Sequence, residues 1–94
     1  PVLVSISGRE PITDAPGVLV DLSATGMRVH MWISPPKHRM AAVRVDVNNE
    51  VFQVRSRIVR VESVEEGGFL VGMEFDPESL KENPFPTCAL VESP

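Results

Sequence analysis

The sequence predicts an all-β domain, an antiparallel barrel or sandwich. About six segments alternate apolar and polar residues at the two-residue period of a strand. The connections between them are short and rich in Gly, Pro, Asn and Asp. Only one helix start is written in the chain, at Asp76-Pro77, and it comes late. There is no internal repeat and no low-complexity run, so one barrel or sandwich takes the whole chain.

Pro1 to Ser7 reads as the first strand, with Val2, Val4 and Ile6 on one face and Leu3, Ser5 and Ser7 on the other. Gly8 to Gly17 holds Gly, two Pro, Asp and Thr and reads as a turn-rich connection. The second strand is expected from about Val18 to Leu22. Val18, Val20 and Leu22 share a face, and Leu19 and Asp21 point the other way. Gly26 to Trp32 is the third strand, with Met27, Val29 and Met31 inward and Arg28, His30 and Trp32 outward. Two prolines in Ser34-Pro35-Pro36-Lys37-His38 forbid regular pairing and make it a loop.

Met40 to Val47 is the fourth strand, with Ala41, Val43, Val45 and Val47 inward and Arg44 and Asp46 outward. Asn48-Asn49 tolerates left-handed backbone and turns the chain. The fifth strand runs from Val51 to about Val61. Phe52, Val54, Ser56 and Ile58 keep one phase, then Val59 and Val61 keep the other, which predicts a bulge or bend near Ile58-Val59. Glu62 to Gly68 is an acidic turn. Phe69 to Phe75 is the sixth strand, with Phe69, Val71, Met73 and Phe75 inward and Gly72 outward, where a side chain would obstruct a neighbour. The helix runs from Pro77 to about Asn83 and is stopped by Pro84 and Pro86; Phe85 to Pro94 is a tail. The expected layout is one domain over residues 1–94: barrel 2–76, helix 77–83, tail 84–94.

Ninety-four residues suffice for one core. The chain opens on Pro1 rather than Met, so it reads as a piece of something longer. A net charge of −4 argues against a general nucleic-acid binder, which needs clustered cations, so neither DNA nor RNA is an expected partner. Most of the cations lie between Arg28 and Arg60, and acids dominate beyond Glu62. No apolar run reaches the ~20 residues of a membrane span, and no signal peptide is visible. The single Cys88 excludes an internal disulfide framework and leaves a reducing, cytoplasmic setting as the default.

Enzyme signatures are poor. His30 and His38 lack the paired spacing of a zinc site and read as surface residues. Cys88 has no neighbouring base, Ser23 lacks a nucleophile-elbow context, and no phosphate-cradling glycine pattern appears. No catalytic residue, metal or cofactor is therefore expected. A flavin-binding split barrel has little in the sequence to support it.

The stretch Asp21-Leu22-Ser23-Ala24-Thr25-Gly26 stands apart. It joins Val18-Leu19-Val20 to Met27-Arg28-Val29 and places a carboxylate, two hydroxyls and a glycine in one reversal. Turn residues do cluster between strands routinely. Asp-x-Ser-x-x-Gly, entered from Gly-Val-Leu-Val and left by Met-Arg-Val, resembles the signature of PilZ domains, and Gly72-Met73-Glu74-Phe75 resembles the family's last barrel strand. The resemblance covers about Val2 to Pro77. It implies a six-stranded antiparallel Greek-key barrel with a short C-terminal helix.

PilZ domains are bacterial, cytoplasmic receptors for the second messenger cyclic di-GMP, so the resemblance implies that Asp21, Ser23 and Gly26 are ligand contacts. A carboxylate can accept from the adjacent N1–H and N2–H₂ of guanine, each bond worth ~1.5–3 kcal/mol. Arg28 and Trp32, outward on the next strand, are of the types that stack on bases and complete the expected ligand-binding set. The family's Arg-x-x-x-Arg motif precedes its first strand. No such motif stands in this chain: Arg9 follows the first strand, and Arg55, Arg57 and Arg60 have the wrong spacing. Two lost contacts of about 2 kcal/mol each would weaken binding roughly 10³-fold. The resemblance therefore implies weak or lost nucleotide binding for this piece. The other expectation is a degenerate module that docks a protein of a motility, secretion or polysaccharide system.

Overall fold

The computed structural model describes residues 2–8, 11–47 and 49–82. The strands are β1 (Val2–Ile6), β2 (Ile12–Leu22), β3 (Gly26–Met31), β4 (Met40–Val47), β5 (Glu50–Ser63) and β6 (Phe69–Phe75), followed by the helix α1 (Pro77–Glu82). They close into a barrel in the order β1-β2-β3-β6-β5-β4, every neighbouring pair antiparallel. The first three strands follow one another and β4 returns beside β1, which is a Greek key. The fold is the six-stranded antiparallel barrel with one late helix that the sequence predicts.

The interior is aliphatic. Val4, Val29, Met31, Val43, Ile58 and Val71 are fully enclosed. Each such side chain contributes about 1.5–3 kcal/mol through removal of its apolar surface from water. Outward positions are polar for most of the circumference. The alternation expected for β1, β3, β4 and β6 is the one observed wherever side chains are described; that of Val47 lies outside the described side chains. So do Arg9, Asn48, Asn83 and the tail with Cys88 lie outside the described residues.

β2 departs from expectation in two ways. It starts at Ile12, not Val18, because the stretch thought to be a connection pairs with β1. Pro16 sits opposite Leu3, and pairing to β3 begins only at Gly17, so the missing N–H falls on a stretch with one partner strand. Asp14 takes a left-handed φ of 51° at an irregularity in that ladder and bonds Ser5, its N–H donating to Ser5 Oγ at 3.0 Å. Second, Val18 and Val20 face outward, each 50% exposed, while Leu19 packs on the core. An extra residue, Val20, enters between the pairs Leu19↔Val29 and Asp21↔Arg28. The phase changes there, so Leu22 returns inward and Asp21 stays out.

β5 carries a third irregularity, between Ile58 and Arg60, where the phase slip was expected. Val59 is the extra residue and is 41% exposed; Val61 resumes packing on the core. The helix starts as predicted. Asp76 Oδ1 accepts from the Glu78 N–H at 3.3 Å, an N-cap contact, and the buried Ser79 hydroxyl accepts from the Arg55 N–H at 2.8 Å, tying α1 to β5. An ion pair between Arg55 and Asp76 at 3.3 Å lies alongside.

Candidate functional site

The turn between β2 and β3 is built by Ser23. Its backbone N–H donates to Gly26 O at 2.9 Å. Its hydroxyl accepts from the N–H groups of Thr25 and Gly26, both at 3.3 Å, and donates to Gly26 O at 3.2 Å. This is the local capping that makes serine a turn residue. Thr25 O accepts from the Phe75 N–H at 2.8 Å, so the turn is fastened to the end of β6. Gly26 lies opposite Glu74 of β6, and a Cβ there would come within 2.2 Å of Met73 O. The close approach that requires glycine is thus that of a neighbouring strand.

Asp21 points out of the barrel and is held by Arg28. The Arg28 Nε–H donates to Asp21 Oδ2 at 2.7 Å, and a second guanidinium nitrogen bonds the same oxygen. Both side chains are about half exposed, at 55% for Arg28 and 41% for Asp21. The hydrogen bond first, and the carboxylate's charge second, hold Arg28 above its already high ordinary pKa, so it stays cationic at any working pH. Asp21 Oδ1 carries no hydrogen bond among the described residues.

These residues edge a groove of about 670 Å³ on the outer wall, crossing β3, β6 and β5 at the turn end. Asp21, Ser23, Gly26 and Arg28 line one side, Val59 and Arg60 the other, and Gly72 lies between. The register explains the shape. Asp21 pairs with Arg28, Arg28 with Gly72, and Gly72 with Arg60, so one outward row runs across four strands. A Cβ on Gly72 would be in ordinary contact with Arg60 Cβ, at 3.4 Å. The expectation that a side chain there would strike a neighbouring strand is therefore not met. What the glycine leaves open is the floor of the groove.

Four of the five sequence-chosen residues, Asp21, Ser23, Gly26 and Arg28, come together here. Trp32 does not line the groove. It follows the end of β3, four residues beyond Arg28 and so about 13 Å along the strand, and is 58% exposed. Its ring meets His30 edge-on, with centroids 4.9 Å apart and planes at 82°. His30 Nε2 is in turn 2.8 Å from Gly67 O in the β5–β6 turn. Arg60 and Gly72 were not singled out as site residues. The phase slip beside Arg60 was the available signal, but only the strand order shows that it faces Arg28 across β6.

Among the described residues no group of three or more His, Cys, Asp or Glu side chains is placed to hold a metal ion. Nor is any described helix long and apolar enough to cross a membrane.

The structure is thus a small Greek-key barrel with a groove on its wall, edged by an Asp-x-Ser-x-x-Gly turn. The family model for the PilZ domain matches residues 1–83, and the chain belongs to the PilZ domain family. This is a family of cyclic di-GMP receptor and adaptor domains, which bind rather than catalyse. No curated protein and no solved structure matches the chain significantly.

Proposed function

We propose that this chain is a receptor or adaptor module of bacterial second-messenger signalling, acting in the cytoplasm, and that its groove takes cyclic di-GMP. The observation that carries this reading is the meeting of Asp21, Ser23, Gly26 and Arg28 at one edge of a groove of about 670 Å³. Asp21 Oδ1 is available to accept from the donor edge of guanine while Oδ2 keeps Arg28. Ser23 contributes by fixing the turn that presents Asp21. Arg28 offers a guanidinium plane for stacking and a cation for phosphate. Trp32 reaches the ligand only if a second base extends along β3 toward it. With no Arg-x-x-x-Arg motif in this sequence, the affinity of the chain is expected to be weak.

Isothermal titration of the folded chain, and of a version extended upstream of Pro1, tests the reading. Saturable heat that Asp21→Asn weakens at least tenfold supports it. No heat from either folded piece overturns it.

A second reading, a PilZ module that docks a protein instead of the nucleotide, is favoured by the exposed apolar side chains Val18, Val20, Trp32 and Ile33. Candidate partners are components of motility, secretion or polysaccharide-export systems. Partner capture that Trp32→Ala leaves unchanged would count against this surface.

A further inference from the structure

The bulges at Val20 and Val59 lie on either side of one outward row of the sheet, and each keeps a charged residue outward. Inward positions on β2 run through Ala15, Gly17 and Leu19, so unbroken alternation would send Asp21 into the core. Inward positions on β5 run through Val54, Ser56 and Ile58, so unbroken alternation would send Arg60 there. The bulges absorb the extra residues Val20 and Val59, so both charged residues stay outward. A bulge beside a functional site commonly re-aims a side chain in this way. The result is the row Asp21, Arg28, Gly72, Arg60, with the glycine between the two arginines.

Strands are spaced about 4.8 Å apart, so the backbones of Arg28 and Arg60 stand roughly 10 Å from each other across β6. No side chain rises from Gly72 between them. Arg60 is 73% exposed, and its ion pair with Glu62 is 3.8 Å long, beyond hydrogen-bond distance. Its fork is thus available to an incoming acceptor, whereas that of Arg28 is bonded to Asp21.

We propose that Arg28 and Arg60 form a clamp across Gly72 for a phosphodiester group, with Arg60 as its principal donor. The assignment rests on reading the groove as a nucleotide site, and it divides the labour there. Asp21 reads the base edge, and the arginine pair holds the phosphate. Guanidinium forks suit this because they meet phosphate oxygens through two parallel N–H bonds. Arg60 thereby supplies a phosphate contact that does not depend on the arginine motif of the family.

The experiment titrates the folded chain with cyclic di-GMP and with cyclic di-AMP, which keeps both phosphodiesters but lacks the guanine donor edge. Wild type is compared with Asp21→Asn, Arg60→Gln, Arg60→Lys and Gly72→Val. The expected result is a loss of about tenfold or more in cyclic di-GMP affinity for Arg60→Gln, partly recovered in Arg60→Lys. Gly72→Val loses as much while melting no lower than wild type, since valine suits an outward strand position. Cyclic di-GMP binding that Asp21→Asn weakens and Arg60→Gln leaves within twofold overturns the clamp and keeps the nucleotide reading. Cyclic di-AMP binding alone, abolished by Arg60→Gln, keeps the clamp and sinks the guanine assignment. No saturable response to either ligand, from this chain and from the version extended ahead of Pro1 alike, overturns both.

Discussion

The β4–β5 and β5–β6 ladders share a strand and are built differently. Along the first, register runs in step from Met40↔Arg57 to Val47↔Glu50 without a break. Along the second, step is lost at Val59. The β2–β3 ladder loses step at Val20 in the same way. The unbroken ladder forms plain barrel wall, and these two broken ladders flank the groove; the β1–β2 ladder, irregular between Ile12 and Ala15, lies away from it. Alternation alone makes a wall that is apolar inside and polar outside. With each extra residue absorbed in a bulge, a carboxylate and a guanidinium keep to one outer row and stay out of the core, where an unpaired charge would be very costly.

The comparison is broken most severely by deleting one residue from each kind of ladder. Removing Arg44 from β4 forces either Val45 or the pair Ala41 and Val43 off the inner face, since one residue of slip inverts every position beyond it. A loss of at least about 2 kcal/mol is expected, read by urea denaturation. Removing Val59 leaves Ile58 inward, Arg60 outward and Val61 inward, a regular strand. That deletion is expected to leave a folded barrel, with a loss of about 1 kcal/mol or less. Equal losses from the two deletions would show that Val59 is held by more than the bulge.

How much of this was legible in the chain follows the same division. β1, β3, β4 and β6 alternate without interruption, and their inward faces could be read from the two-residue period. The slip in β5 was also legible, because apolar residues stand on both sides of it at Ile58 and Val61. The slip in β2 was not. Val18, Leu19 and Val20 are all apolar, so periodicity cannot tell which of them is the extra one. Ile12 to Pro16 carried turn residues that the sheet tolerates because only β1 pairs there. Of the site, the part on one hairpin was visible, namely Asp21, Ser23, Gly26 and Arg28. Arg60 and Gly72 join through strand order, which local pattern does not encode.

On the groove side, the tightest fit is that of Gly26 against Met73 O. A methyl group placed 2.2 Å from that oxygen forces β3 and β6 apart at the turn. Gly26→Ala is expected to cost about 2 kcal/mol in a denaturant titration. It also disturbs the Thr25 O to Phe75 N–H bond, so amide exchange at Phe75 should quicken. A neutral substitution would mean that the two strands separate there without loss.

Ser23→Ala sharpens the same side by removing hydroxyl bonds while keeping the chain's shape. The Thr25 and Gly26 N–H groups lose their 3.3 Å acceptor, but the turn is exposed and water can replace it. About 1 kcal/mol of stability is the expected loss. A loss of ligand affinity larger than this turn contribution explains would make Ser23 a direct contact as well as a turn former.

The smallest effect belongs to the unbroken wall and has the opposite sign. Ser56 lies inside the barrel, opposite Ala41 on β4 and Phe75 on β6, and its hydroxyl has no hydrogen-bond partner among the described residues. Burying an unmet hydroxyl costs about 1–3 kcal/mol relative to leaving it in water. The oxygen also fills space, and the void left by its removal offsets part of that gain. Ser56→Ala is therefore expected to raise stability by about 0.5 kcal/mol, seen as a melting temperature a few degrees higher. Because Ser56 faces the core and the groove lies on the outer wall, ligand affinity should not change. A fall in melting temperature would mean that the hydroxyl does find an acceptor inside the barrel, and that even the regular ladder carries a polar contact its alternation does not disclose.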